Sequence, residues 1–170
     1  MLAFFRARRL PWLLGSGLCL FGLAFAYVLQ YGFGLEPCPL CIFQRIAMLW
    51  AGLAFLAVGA VGPVAFGRWV GTALVLIGTF GGIGIAGRHV WLQSLPPDQV
   101  PACGPPLEQL MAVLPMQEAI AFVLRGEGSC AVIDASWLGL SLPAWTLLAF
   151  VALSLWAIAA VRPTRPLVRK

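Results

Sequence analysis

The sequence predicts an all-α integral membrane protein, a four-helix bundle with one long extramembrane loop that carries short interfacial amphipathic helices. Three observations carry that prediction. Of 170 residues, 61% are hydrophobic and only 10% charged, with a mean hydropathy of +0.94; a soluble domain is nearer half apolar and about a quarter charged. Four apolar stretches each approach the roughly 20 residues that cross a bilayer. The cations gather at the chain ends and beside those stretches. The net charge of +5 is therefore the flanking pattern that sets membrane topology, and it does not point to nucleic acid. The whole chain reads as a single membrane domain.

Taken in order, Arg6, Arg8 and Arg9 precede a first span over residues 12–31. Ala24-Phe25-Ala26 resembles a signal-peptide cleavage site. Apolar sequence nevertheless continues past it to Tyr31 and Phe33, aromatics suited to a membrane interface, so a span is expected. Cys19 inside it reads as a small buried hydrophobe. The second span, 39–61, opens on Pro39, which lacks an N–H and suits a first helical turn. Gly62-Pro63 ends it. Arg68 precedes a third span, 69–87, rich in glycine. Gly67/Gly71 and Gly78/Gly82 have the spacing that lets membrane helices approach closely. Arg88 and His89 follow at its end.

Residues 92–142 change character, with most of the acids, many prolines, Cys103 and Cys130. Leu107, Leu110, Met111 and Leu114 form one apolar stripe, and Met116, Ile120, Val123 and Leu124 another after Pro115. Both predict short amphipathic helices in the membrane interface, with a small extramembrane fold as the alternative. The last span, 143–161, runs into Arg162, Arg165, Arg169 and Lys170. Eight of the eleven Lys and Arg fall before the first span, between the second and third, and after the fourth, which assigns those segments to the cytoplasm. Both cysteine-bearing segments then face an oxidising compartment.

Five cysteines read as two pairs and a bystander, Cys19. Cys38 and Cys41 form a Cys-x-x-Cys pair at a helix N-terminus, where free N–H groups and the macrodipole favour a negative thiolate. Arg45 lies one turn deeper on the face of Cys41. A guanidinium inside a span is costly and marks function, and no acid in its own span pairs with it. His89, taken alone, reads as an interfacial histidine. The topology, which ends the third span on the side where the second begins, would bring it near Cys41, to the bilayer depth of Arg45. A quinone headgroup, whose reduction needs positive charge and a proton donor, fits between the two. Other readings stay open at this point. Four thiols are a zinc set, although Cys103 and Cys130 lack knuckle spacing. Two inert disulfides are the other alternative, a loop disulfide being worth roughly 3–4 kcal/mol. A membrane scaffold or transporter is a further one.

Pro-Cys-Pro-Leu-Cys-Ile-Phe-Gln-Arg at 37–45, Arg88-His89, the Cys103/Cys130 loop, and Trp137-Leu138-Gly139-Leu140 before Pro143 and Trp145 together resemble the DsbB family of bacterial inner-membrane proteins. The stretch between Cys103 and Cys130 matches in character more than in residues. A vitamin-K-epoxide-reductase-like protein also joins Cys-x-x-Cys to a quinone, but the order of helices and cysteines disfavours it. The resemblance implies a protein-disulfide:quinone oxidoreductase that reoxidises a DsbA-like periplasmic thioredoxin-fold oxidase. Its cofactor would be a quinone, ubiquinone or menaquinone, from the lipid pool, and no metal is implied. It implies disulfides Cys38–Cys41 and Cys103–Cys130. Cys103 would receive the partner's thiolate, Cys130 would relay to Cys38, and Cys41 would donate to the quinone. Arg45 would stabilise the anions, with His89 near the headgroup.

The charge pattern predicts both termini in the cytoplasm. Reporter fusions within the 92–142 loop should be active only as periplasmic reporters, and cytoplasmic activity there would reverse the orientation.

Overall fold

The computed structural model describes residues 2–62, 65–102, 104, 109, 112–133 and 135–161, with residues 2–8 and 65 described by their place in a helix alone. Cys103, Leu107, Leu110, Met111, Pro63, Arg162, Arg165, Arg169 and Lys170 lie outside the described residues, as do the side chains of Arg6 and Arg8. Helix α1 covers Leu2–Phe33, α2 Pro39–Val61 and α3 Ala65–Gln93. Two short helices follow, α4 at Met116–Arg125 and the single turn α5 at Gly128–Ala131. A hairpin of β1 (Ser136–Trp137) and β2 (Leu140–Ser141) leads into α6, Leu142–Val161. Helices α1, α2, α3 and α6 are long and apolar enough to cross a membrane. The protein is thus an all-α membrane bundle.

Each helix boundary has a local cause. Helix α2 begins with Cys38 as N-cap and proline at the first helical position, and the Cys38 sulfur accepts from the Cys41 N–H at 3.4 Å, satisfying one of the orphan donors of the first turn. It ends at Gly62, whose φ of +93° is available to glycine at little cost. Helix α3 runs past residue 87 to Gln93, so Arg88 and His89 lie inside the helix rather than at its end. Residues 88–93 contain no proline or glycine, and Leu92 is fully buried; packing of this last turn carries the helix beyond the apolar run. Helix α1 passes without interruption through Ala24–Ala26.

The bundle turns its packing inward and its apolar excess outward to lipid. Trp12, Cys19, Phe55, Val75 and Phe150 form the buried centre, while Leu18, Phe21, Leu53, Ile77 and Leu155 are exposed. Lipid is as apolar as leucine, so helices associate here through close packing and polar contacts. Glycine supplies the close packing. A Cβ on Gly71 would lie 2.0 Å from Val58, one on Gly78 2.5 Å from Trp50 and 3.2 Å from the Ala51 backbone nitrogen, and one on Gly82 2.4 Å from Phe150. Gly71 and Gly78 therefore seat α3 on α2, and Gly82 seats it against α6. Ser154 donates to Thr79 at 2.9 Å across the α3–α6 contact, a bond worth about 0.6 kcal/mol in such settings.

Above the bundle, α4 divides its apolar residues. Ala119 and Val123 are buried with Leu40, Leu92 and Cys130 in a second small core. Met116, Ile120 and Leu124 stay exposed, as an interfacial helix requires. The expected stripe is thus split between docking on the bundle and facing outward. Arg88 ties this helix down by donating to the Arg125 carbonyl at 2.6 Å while its guanidinium stacks over Trp91. The hairpin was not legible as strands. Leu138 and Gly139 both have positive φ, 52° and 78°, the pattern of a type I′ turn.

Gly78→Ala should destabilise the bundle by about 1–3 kcal/mol, because the Ala51 backbone cannot yield as a side chain would. Gly81→Ala, where an added Cβ meets nothing within 4 Å, should be neutral or slightly stabilising. Thermal unfolding in detergent checks the pair, and equal effects would refute the close-packing role.

Candidate functional site

The N-terminus of α2 and the last turns of α3 meet at one end of the bundle. Because Cys38 caps α2, its sulfur is fixed over the first turn, and Cys41 follows one turn on. The two Sγ atoms stand 3.1 Å apart as hydrogen-bonded thiols, about 1 Å more than a disulfide bond. His89, 2% exposed, projects from α3 against both. Its Nε2 lies 3.8 Å from Cys38 Sγ and its Nδ1 4.0 Å from Cys41 Sγ.

Cys130 completes the cluster from the loop. It is buried in the α5 turn, within the small core that contains Leu40 of α2 and borders Cys38. A hydrogen bond from the Cys38 thiol, aided by backbone N–H groups of Glu127 and Leu40 and opposed by burial, brings the Cys130 thiol down to about 6. Cys38, whose single S–H is shared between Cys130 and Cys41, is pushed up, and burial adds to that. Of the two, Cys130 gives up its proton the more readily. Glu127 anchors the turn, accepting from the Gly104 N–H at 2.8 Å and from Ser129 at 3.0 Å, and Gly128 N–H donates to the Ala102 carbonyl at 3.5 Å. These bonds hold residues 102 and 104 against the segment that carries Cys130.

Arg45 points elsewhere. It donates to Gln30 Oε1 and to the Ala26 carbonyl, the latter at 3.2 Å, and its guanidinium lies 5.1 Å from the Tyr27 ring centre. All three partners are on α1, whereas His89 occupies the α2–α3 side. Arg45 and His89 therefore face different neighbours. Each described partner of Arg45 is neutral, so its charge is solvated but not cancelled. Cys19 is buried between α1 and α2, its Cβ 3.0 Å from where a Gly52 Cβ would stand, and takes no part in the cluster.

Sequence reasoning missed Gln44 and Thr146. Gln44 is buried and its Nε2 lies 3.2 Å from His89 Nδ1, while its Oε1 accepts from Thr146 of α6 at 2.7 Å. Polar residues at helical spacing inside two spans were the available signal. Cys38, Cys41 and His89 offer ligand atoms within 4.8 Å of one another, a soft-metal donor set. A metal takes one imidazole nitrogen, however, and here each sulfur addresses a different one. The arrangement suits hydrogen bonding to a dithiol better than coordination.

A dithiol capping a membrane helix, with a third thiol docked on it, defines a membrane protein built for thiol chemistry. Residues 8–160 match the family profile described as Disulfide bond formation protein DsbB. The chain is 49% identical to Disulfide bond formation protein B of Hahella chejuensis over 144 residues, covering 84% of this chain and 87% of that one. It is 50% identical to the protein of the same name from Chromohalobacter salexigens over 145 residues, 84% of each chain. With the Acinetobacter baumannii protein of that name it shares 43% identity over 171 residues, 95% of this chain and 99% of the other. The chain belongs to the DsbB family of disulfide bond formation proteins.

The hydrogen bond from Cys38 predicts a distinctive profile for Cys130. A depressed thiol gains its thiolate as pH rises through the lowered value, so alkylation of Cys130 in the reduced protein should be half-maximal near pH 6. Cys38→Ala removes the donor and should move that midpoint up toward the free-thiol value of about 8.5. Peptide mass spectrometry reads each cysteine separately, and an unmoved midpoint would assign the effect elsewhere.

Proposed function

We propose that this protein is a protein-disulfide:quinone oxidoreductase of the bacterial inner membrane, acting as one membrane unit with both termini in the cytoplasm. It reoxidises a periplasmic DsbA-like thioredoxin-fold oxidase and delivers two electrons to ubiquinone or menaquinone. The observation that carries this reading is the meeting of Cys130, Cys38, Cys41 and His89 at the α2 N-terminus. Family membership supports it, since thiol oxidation needs an electron acceptor and a membrane bundle has the quinone pool at hand.

In this reading the resting enzyme holds Cys38–Cys41 and Cys103–Cys130 disulfides. A partner thiolate attacks Cys103 Sγ, and the Cys103–Cys130 bond breaks with Cys130 leaving as thiolate. The low proton affinity of Cys130 makes it a good leaving group. Cys130 then attacks Cys38 Sγ, displacing Cys41, which carries the electron pair. The partner's second thiol resolves the mixed disulfide at Cys103, so the partner ends as a disulfide. Cys103, released as thiolate, attacks Cys130 Sγ and frees Cys38. Cys38 and Cys41 hold the two electrons as a dithiol until they pass to the acceptor and their disulfide re-forms. The docking of Cys130 on Cys38 in the reduced structure supports the middle exchange.

A quinone, when bound, supplies a two-electron, two-proton acceptor. The residues present fit such a group: Arg45 carries a charge that its neutral α1 partners leave uncancelled, and His89 is a buried proton-bearing ring beside Cys41. Arg45 would bind the oxygen that gains negative charge, His89 would hold a proton near the headgroup, and Cys41 would face it.

Reduced DsbA-like protein should drive quinone reduction, followed by stopped-flow absorbance with ubiquinone and menaquinone compared. Arg45→Met should slow that step roughly 30- to 150-fold, about 2–3 kcal/mol of lost stabilisation. Arg45→Lys should be intermediate, because it keeps charge and loses the planar fork. Formation of the mixed disulfide at Cys103, trapped separately, should change little. Equal slowing of both steps would give Arg45 a structural role and sink its part in electron delivery.

A further inference from the structure

We propose that Gln44, held by Thr146, is a positioning residue that fixes His89 in one neutral tautomer, with the proton on Nε2 and directed at Cys38. The inference rests on the reading of Cys38, Cys41 and His89 as the reaction centre. It rests on the orientation of the Gln44 amide beside a ring closed off from solvent. Gln44 and His89 are 4% and 2% exposed, so each of their polar atoms must find a partner within the protein.

The chain of bonds has a direction. The Thr146 hydroxyl lies 2.7 Å from Gln44 Oε1, and a carbonyl oxygen only accepts, so Thr146 donates. That turns the amide nitrogen, a donor only, toward His89 Nδ1 at 3.2 Å. With the amide so placed, Nδ1 presents its lone pair and the ring proton sits on Nε2. Nε2 faces Cys38 Sγ at 3.8 Å. Thr146 comes from α6, Gln44 from α2 and His89 from α3, so three spanning helices agree on the orientation of one ring. The opposite network is chemically complete too: Thr146 could donate instead to the Pro143 carbonyl, 2.8 Å away, with the Gln44 amide reversed and the proton on Nδ1. The two differ in which sulfur faces the N–H, and therefore in which thiol the ring assists.

His89 is the single histidine of the chain, so selective ¹⁵N-histidine labelling of the full-length reduced protein in detergent gives one pair of ring signals. The wild type should show a protonated Nε2 and a bare Nδ1. Gln44→Glu places an acceptor opposite Nδ1 and should move the proton there. Gln44→Leu and Thr146→Val should give exchange-averaged signals, and Thr146→Val, nearly isosteric, serves if Gln44→Leu fails to fold. A protonated Nδ1 in the wild type, or a wild-type pattern in both Gln44→Leu and Thr146→Val, would overturn the proposal.

Alkylation of Cys38 in the same quinone-free protein gives a second readout. Gln44→Leu should change its rate several-fold in the direction that His89→Ala does, and should add nothing in a His89→Ala background. A full separate effect there would mean that Gln44 does not act through His89. Neither measurement needs quinone or a protein partner. Failure of wild-type turnover with those substrates would count against the proposed function, while the ring signals decide the role of Gln44 on their own.

Discussion

The close approach of α3 to α2 is the contact on which the rest depends. Val58 against Gly71, Trp50 against Gly78 and Cys41 beside His89 are three rungs of one antiparallel seam. The lower two fix the depth and rotation of α3, and the third follows from them. A single methyl at Gly78 would press on the Ala51 backbone, and any tilt that relieved it would be magnified where His89 meets the sulfurs. In a bilayer no hydrophobic force between helices restores such a seam, so the small residues carry specificity that a water-soluble core would spread over many side chains.

Around this seam the protein separates its charges by partner rather than by distance along the chain. Arg45 and Gln44 are adjacent in sequence, yet about 100° apart around the helix. Gln44 looks toward α3 and α6 through neutral hydrogen bonds, and Arg45 toward α1. Gln30, the Ala26 carbonyl and the Tyr27 ring solvate the guanidinium without cancelling it. A carboxylate in their place would neutralise the one intramembrane charge of α2. On the opposite end of the cluster, the free N–H groups of the α2 N-terminus serve sulfur: Cys38 caps Cys41 N–H, and the Leu40 N–H helps to lower the proton affinity of Cys130.

The loop above the membrane is fastened where movement would matter. Arg88 holds the carbonyl of Arg125 at the end of α4, Glu127 holds Gly104, and Val123 packs beside Leu92. Each tie is one or two hydrogen bonds or a few apolar contacts, weak beside the glycine seam below. Cys130 thus sits on a lightly moored turn, against an α2–α3 end that is rigidly packed.

The sequence by itself determined the solvent of this protein, the number and order of its spans, the start of α2 at Pro39 and the unusual pairing of Cys-x-x-Cys with Arg45. These are properties of composition, length and local backbone chemistry, which do not depend on what packs against what. The glycine spacing of α3 announced close packing because only glycine lets two backbones approach so nearly. Tertiary structure alone decided which helix each polar residue would face. Nothing local distinguishes Gln44 from a lipid-interface glutamine, or Thr146 from one bonding its own helix, until α2, α3 and α6 close around His89. The extension of α3 to Gln93 was hidden for the same reason: its last turn is held by Leu92 packing under α4, a contact between segments far apart in the chain. Arg45 and His89 were legible as exceptional residues, but their division between α1 and the cysteine pair required the rotation of α2 about its own axis, and only packing sets that.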